Sequence, residues 1–166
     1  MWSNILEPFL DSPSQQRVVR FLLENGFGIN DSGKVVVNGI EVSATAVSRV
    51  VDVDRRVVDT TVKRILGMED IRTIFAHLRV TPDITNVAKN LGFSVITILP
   101  KNAGDKNIVA SVVNVLAAYD LLLRQIFVTD SYIAESPKLV IIIDGTLPAA
   151  AIEELRALSA VESIIL

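Results

Sequence analysis

The chain has 166 residues, 50% of them apolar, which suffices for at least one good core and is compatible with one domain or two small ones. It holds no cysteine, so disulfides, thiolate nucleophiles and cysteine-based zinc sites are excluded, and a cytoplasmic location is expected. The net charge of −3 argues against a generally basic nucleic-acid coat, but residues 1–67 carry 8 Lys and Arg against 8 Asp and Glu, while residues 68–166 carry 8 against 11. Any DNA binding is therefore expected in the first half.

The N-terminus bears Glu7 and Asp11 without a basic segment or an apolar core, so no cleaved signal is expected. The longest apolar runs, such as residues 139–143, fall far short of the roughly 20 residues needed to span a bilayer. The match of Asn30-Asp31-Ser32 to a glycosylation acceptor is read as chance in a cytosolic protein.

In chain order, residues 2–10 suggest a short helix. A better one is capped by Ser12, has Pro13 at its first position, places Val18, Phe21 and Leu22 on one face and stops at Gly26. Val35-Val36-Val37 before Asn38-Gly39 predicts a short strand ended by a turn. Ser43 can cap a helix whose apolar stripe is Ala46, Val47, Val50 and Val51; Asp52-Val53-Asp54 then makes a tight break, and Asp54 can cap the next helix. On that next helix Val58, Val62, Ile65 and Leu66 recur at spacings that define a buried face, so Arg56, Thr60, Lys63 and Arg64 are expected to point away from it.

A helix buried on one side and basic on the other can enter the major groove, with its first side chains at base edges and later ones near phosphates. Arg56 and Thr60 are the candidate base contacts, and Arg55, Lys63 and Arg64 the candidate phosphate contacts. The run Val53-Asp54-Arg55-Arg56-Val57-Val58 resembles the turn and recognition-helix start of winged-helix and related bacterial and archaeal transcription regulators, with Asp52 where those proteins carry glycine; Asp can adopt the left-handed conformation such a turn needs. The competing reading is a pair of amphipathic helices with a solvated charged face, which Asp52, Asp54 and Asp59 favour.

Gly67 ends this pattern, and residues 68–92 are expected to form a connector. Within it residues 71–79 read as a helix, with a strand as the alternative, and a second helix runs from Thr81-Pro82 to Leu91 and stops at Gly92. Beyond lie a strand (94–99), a helix (106–119), two strands (121–129 and 138–144), a helix (148–158) and a strand (161–166). That is the βαββαβ order of a ferredoxin-like fold. The expected class is α+β, with a helix-turn-helix domain over 1–67, the connector, and a sensing domain over 93–166.

Residues 94–166 resemble an ACT domain, a small-ligand regulatory module of amino-acid metabolic enzymes and regulators. The resemblance rests on the helix face Ile108, Val112, Val115, Leu116 and Tyr119, the turn at Asp120, the strand start Leu121-Leu122-Leu123-Arg124-Gln125-Ile126 and the closing run Val161-Glu162-Ser163-Ile164-Ile165-Leu166. The two halves together resemble a family of predicted archaeal regulators of amino-acid metabolism. That resemblance implies effector binding at the loop between the first strand and first helix, here residues 100–107, through Asn102, Gly104, Asp105 and Asn107. Gly104 lies earlier than in the family's Asp-x-x-Gly pattern, and Asp follows it instead of preceding it. Glycine permits close backbone approach and a helix start offers N–H groups, so the loop still suits a carboxylate; a plain strand-to-helix turn is the alternative.

The strand over 121–129 is apolar on both faces, Leu121, Leu123 and Phe127 alternating with Leu122, Ile126 and Val128, and Ile141-Ile142-Ile143 is likewise two-sided. A second subunit or the connector is expected to cover the sheet face away from the helices, so a homodimer or larger homo-oligomer is expected. No enzyme is expected. His77 is the one histidine, Gly26-Phe27-Gly28 lacks a third glycine and a preceding strand for a dinucleotide, and Glu153-Glu154 lie beside Arg156 on an exposed helix. No cofactor or metal is implied. The sequence thus predicts a cytoplasmic transcription regulator of amino-acid metabolism that binds DNA and senses a small effector, an amino acid. The alternative is a regulatory subunit or oligomerisation scaffold acting on an enzyme partner.

Overall fold

The computed structural model describes residues 2–129 and 136–166. The chain is α+β and divides into two compact units, Met1–Pro82 and Asp83–Leu166. The boundary falls inside the expected connector, because Ile71 and Phe75 bury in the core of the first unit whereas Ala88 buries in the second unit. Among the described residues no helix is long and apolar enough to cross a membrane.

In the first unit α1 (Trp2–Leu6) and a 3-10 turn (Glu7–Phe9) lead into α2 (Pro13–Glu24). Pro13 sits in the first turn of α2, where its missing N–H costs nothing, and Gly26 ends the helix at φ +68. Where one strand was expected there are three, β1 (Gly28–Ile29), β2 (Val35–Val37) and β3 (Ile40–Val42), paired antiparallel in that order. The outer two are too short for any alternation to show in the sequence. Asn38 and Gly39, at φ 48 and 88, make the two-residue turn between β2 and β3 that matches strand twist. The Asn38 amide also pairs with the backbone of Val80, donating to its carbonyl at 2.9 Å and accepting from its N–H at 3.0 Å.

Three further helices, α3 (Ala44–Val51), α4 (Arg55–Leu66) and α5 (Glu69–His77), complete the first unit. α5 settles the choice between helix and strand in favour of helix. It belongs to this unit because Ile71 and Phe75 are buried in the same core as Val18, Leu22, Val58 and Ile65. The stripe expected on α3 is corrected: Val47 and Ser48 are buried and Val51 is half-buried, whereas Ala46 and Val50 face solvent, Val50 at 68% exposure. The four positions span about 140° of the helix surface, and the buried face is rotated toward Ser48, so the Ala46–Val50 edge of the stripe is left in solvent. The packing of α2 and α4 sets that rotation.

In the second unit the helix expected from Thr81-Pro82 to Leu91 is a 3-10 segment, Thr85–Leu91. Asp83 Oδ1 accepts the Thr85 N–H at 2.8 Å, so the turn starts after the proline, and Gly92 at φ 78 ends it. β4 (Phe93–Pro100), α6 (Ile108–Ala118), β5 (Leu123–Val128), β6 (Leu139–Asp144), α7 (Ala149–Ala157) and β7 (Val161–Ile165) follow in βαββαβ order. The sheet runs β5-β6-β4-β7 with every pair antiparallel. Asp120 takes the turn before β5 at φ 54.

The register Ile96↔Ile141 and Ile98↔Leu139 puts these residues on one face, where they form a core with Val112 and Leu116 of α6 and Ala151 and Leu155 of α7. The opposite face carries Val140 and Ile142, both buried but outside that core. Ile84 donates its N–H to Gln125 Oε1 at 3.2 Å, and Gln125 pairs with Ile142, so the chain before β4 runs over this second face. Ala88, fully buried, lies on that stretch. On the edge strand β5, Ile126 and Val128 remain exposed, as does Leu122 just before it.

Candidate nucleic-acid interface and effector loop

The turn between α3 and α4 is built by three polar side chains. Ser43 Oγ accepts the Ala46 N–H at 3.1 Å and starts α3. Asp52 ends it in the left-handed conformation, φ 55 and ψ 59, which lets the Val53 N–H reach the Ser48 carbonyl at 3.0 Å. Asp54 then accepts the Arg56 N–H at 2.7 Å and opens α4. The inner face of α4 holds Val58, Thr61, Val62 and Ile65, all buried, with the Thr61 hydroxyl donating to the Val57 carbonyl at 2.7 Å.

The five candidate DNA contacts on α4 fall into distinct environments. Arg56 and Lys63 are exposed and have no side-chain hydrogen bond or ion pair among the described residues. Thr60 is exposed and donates its hydroxyl to the Arg56 carbonyl at 2.7 Å. Arg55 is exposed and lies 3.6 Å from Asp59 one turn on. Arg64 departs from the expected outward placement. Its guanidinium donates to Asp11 Oδ1 at 3.0 Å, to Gln15 Oε1 at 3.0 Å, to Asp11 Oδ2 at 3.2 Å and to the Pro8 carbonyl, and it lies over the Phe9 ring at 5.1 Å from the centroid. It ties the N-terminal segment to α4. The hydrogen bond from Arg64 holds the Asp11 carboxyl below its ordinary value of 3.8. Asp11 and Gln15 carry no sequence mark of this role, since they lie 53 and 49 residues from Arg64.

The loop after β4 gathers Asn102, Gly104, Asp105 and Asn107, but it uses two of their side chains itself. Asn102 Oδ1 accepts the Gly104 N–H at 2.9 Å, and Asp105 Oδ1 accepts the Asn107 N–H at 2.8 Å. These are Asx turns, which shape the backbone ahead of α6. The Asn107 carbonyl takes both the N–H and the hydroxyl of Ser111 at 2.9 Å. A Cβ on Gly104 would meet only Asn102 Oδ1, at 3.4 Å, so neither backbone conformation nor crowding demands glycine there. The loop is tethered at its start, where the Lys101 N–H donates to the Ala160 carbonyl at 3.0 Å.

His77 is exposed at the end of α5, with Nδ1 2.8 Å from the Thr73 carbonyl. Among the described residues no three His, Cys, Asp or Glu side chains are grouped so as to hold a metal ion.

No protein-family profile matches the chain, and no curated protein matches it. A solved structure described as "Crystal structure of PH0061" is similar at 11% identity, over 93% of this chain and 88% of that one, with a TM-score of 0.29.

Proposed function

We propose that this protein is a cytoplasmic transcription regulator of amino-acid metabolism, with α3 and α4 as a helix-turn-helix and the second unit as an ACT-like sensor. The observation that carries the reading is α4 itself: a helix opened by a capped, left-handed turn, buried along Val58, Val62 and Ile65, and presenting Arg56 and Lys63 unengaged to solvent. Arg56 and Thr60 read base edges, and Arg55 and Lys63 meet phosphates. Arg64 leaves the phosphate set, because its guanidinium is already satisfied within the unit.

Fluorescence anisotropy on promoter fragments from the native genome, at two salt concentrations, tests this. Lys63→Ala should weaken binding to all sequences alike and lower the salt slope by about 0.9. Arg56→Ala should cost about 1 to 3 kcal/mol on the preferred site and relax discrimination there. No binding at low salt overturns the reading.

The sensor half is supported by its βαββαβ order, which leaves the Asn102 to Asn107 loop between the first strand and first helix. An amino acid bound there should raise the melting temperature, and Gly104→Val, an exposed change, should remove that rise without unfolding the domain. Assembly as a homodimer or larger homo-oligomer is supported by the exposed Leu122, Ile126 and Val128 at the β5 edge. Light scattering should then exceed the 18.1 kDa of one chain.

A regulatory subunit that grips an enzyme partner is the second reading. Val50, exposed at 68% in the last turn of α3 and followed in the chain by the acidic, exposed Asp52 and Asp54, favours it over DNA contact at that end of the motif.

A further inference from the structure

An open cleft of about 490 Å³ lies in the first unit between the β2–β3 hairpin, the start of α3 and one side of α4. Its floor is apolar and buried: Val35, Val58 and Val62. Its rim is charged with both signs, Lys34 and Arg55 against Glu41 and Asp59. These groups are lightly engaged. Arg55 is 3.6 Å from Asp59, Glu41 accepts from the Asn30 amide at 3.3 Å, and the Lys34 ammonium has no partner among the described residues.

The volume falls within the range of small-ligand sites, about 300 to 1,000 Å³. The balance of the rim selects the ligand class. A phosphate held inside the cleft would bring its charge up to two carboxylates, and a diamine would meet two cations. A molecule carrying one charge of each sign satisfies both pairs, and an aliphatic part can leave water over the valine floor.

We infer that the cleft binds a small zwitterion of the α-amino-acid class, its carboxylate toward Lys34 and Arg55, its ammonium toward Glu41 and Asp59, and its side chain over Val35, Val58 and Val62. The site is separate from the loop around Gly104. It shares Arg55 with the DNA-binding reading but takes Lys34, Glu41 and the valine floor from outside it, and the variants that test it are at Lys34 and Glu41, so either can fail alone.

Isothermal titration calorimetry of the full chain against each of the twenty amino acids, inorganic phosphate and putrescine tests it. At least one aliphatic amino acid should bind, and phosphate and putrescine should not. Lys34→Met and Glu41→Gln, both at exposed positions, should each weaken that binding by about tenfold or more, as expected when a charged hydrogen-bond partner is removed. Gly104→Val should leave it unchanged. The inference is overturned if no amino acid binds, if phosphate binds as well as the best amino acid, or if binding is lost in Gly104→Val and kept in Lys34→Met.

Discussion

Arg64→Ala separates a structural arginine from a DNA contact, and Lys63→Ala, one residue earlier on α4, is its control. The alanine leaves the Pro8 carbonyl and the Gln15 amide oxygen without their charged donor and uncovers the Phe9 ring. At this partly exposed site each lost hydrogen bond is worth about 1 kcal/mol, and the cation–π contact adds about 0.5 kcal/mol. The sum, about 2.5 kcal/mol without the Asp11 pair, corresponds to roughly 60-fold faster exchange through opening of the first unit. Hydrogen exchange at the Val58, Val62 and Ile65 amides reads this unit by itself, which a melt of the whole two-unit chain does not. Lys63→Ala should leave those rates unchanged and lower the salt slope of DNA binding. If Arg64→Ala leaves exchange within twofold of the parent and lowers the salt slope as Lys63→Ala does, the assignment of Arg64 to folding is wrong.

Other substitutions test the backbone of the same unit. Asp52→Val should destabilise it by about 1 to 2 kcal/mol, since a β-branched residue is strained at φ 55, while Asp52→Gly should be neutral or better; equal effects in urea titration would contradict the turn. Gly28→Ala would place a Cβ 2.8 Å from the Phe75 carbonyl oxygen, so α5 must shift, at a cost of about 1 to 3 kcal/mol by thermal denaturation; an unchanged melting temperature would speak against that close approach. Because Asp11 titrates below 3.8 in the folded chain, its pair with Arg64 stabilises fully above that value and is lost as pH falls through the lowered one. Asp11 followed by NMR should titrate lower in the parent than in Arg64→Ala, and identical midpoints would refute the pairing.

The sequence alone determined what depends on local geometry. Ser43 and Asp54 as caps, Asp52 as a left-handed stop and the i, i+4, i+7 burial of Val58, Val62 and Ile65 are properties of one helix or one turn, and each is present as read. The βαββαβ order was legible for the same reason, since its strands and helices are long enough to show their period. Tertiary structure decided the rest. β1 and β3 are too short to alternate and exist through pairing with β2; the outward turn of Ala46 and Val50 depends on which side of α3 meets α2 and α4. Residues 68–92 divide because Phe75 and Ala88 bury in different units, a choice no local pattern records. The cleft brings Lys34 and Glu41 of the hairpin to Arg55 and Asp59 of α4, and Asp11 reaches Arg64 across 53 residues. Helical periodicity tells which side of a helix is apolar; whether a long arginine on its flank reaches water or a neighbouring segment depends on what folds beside it.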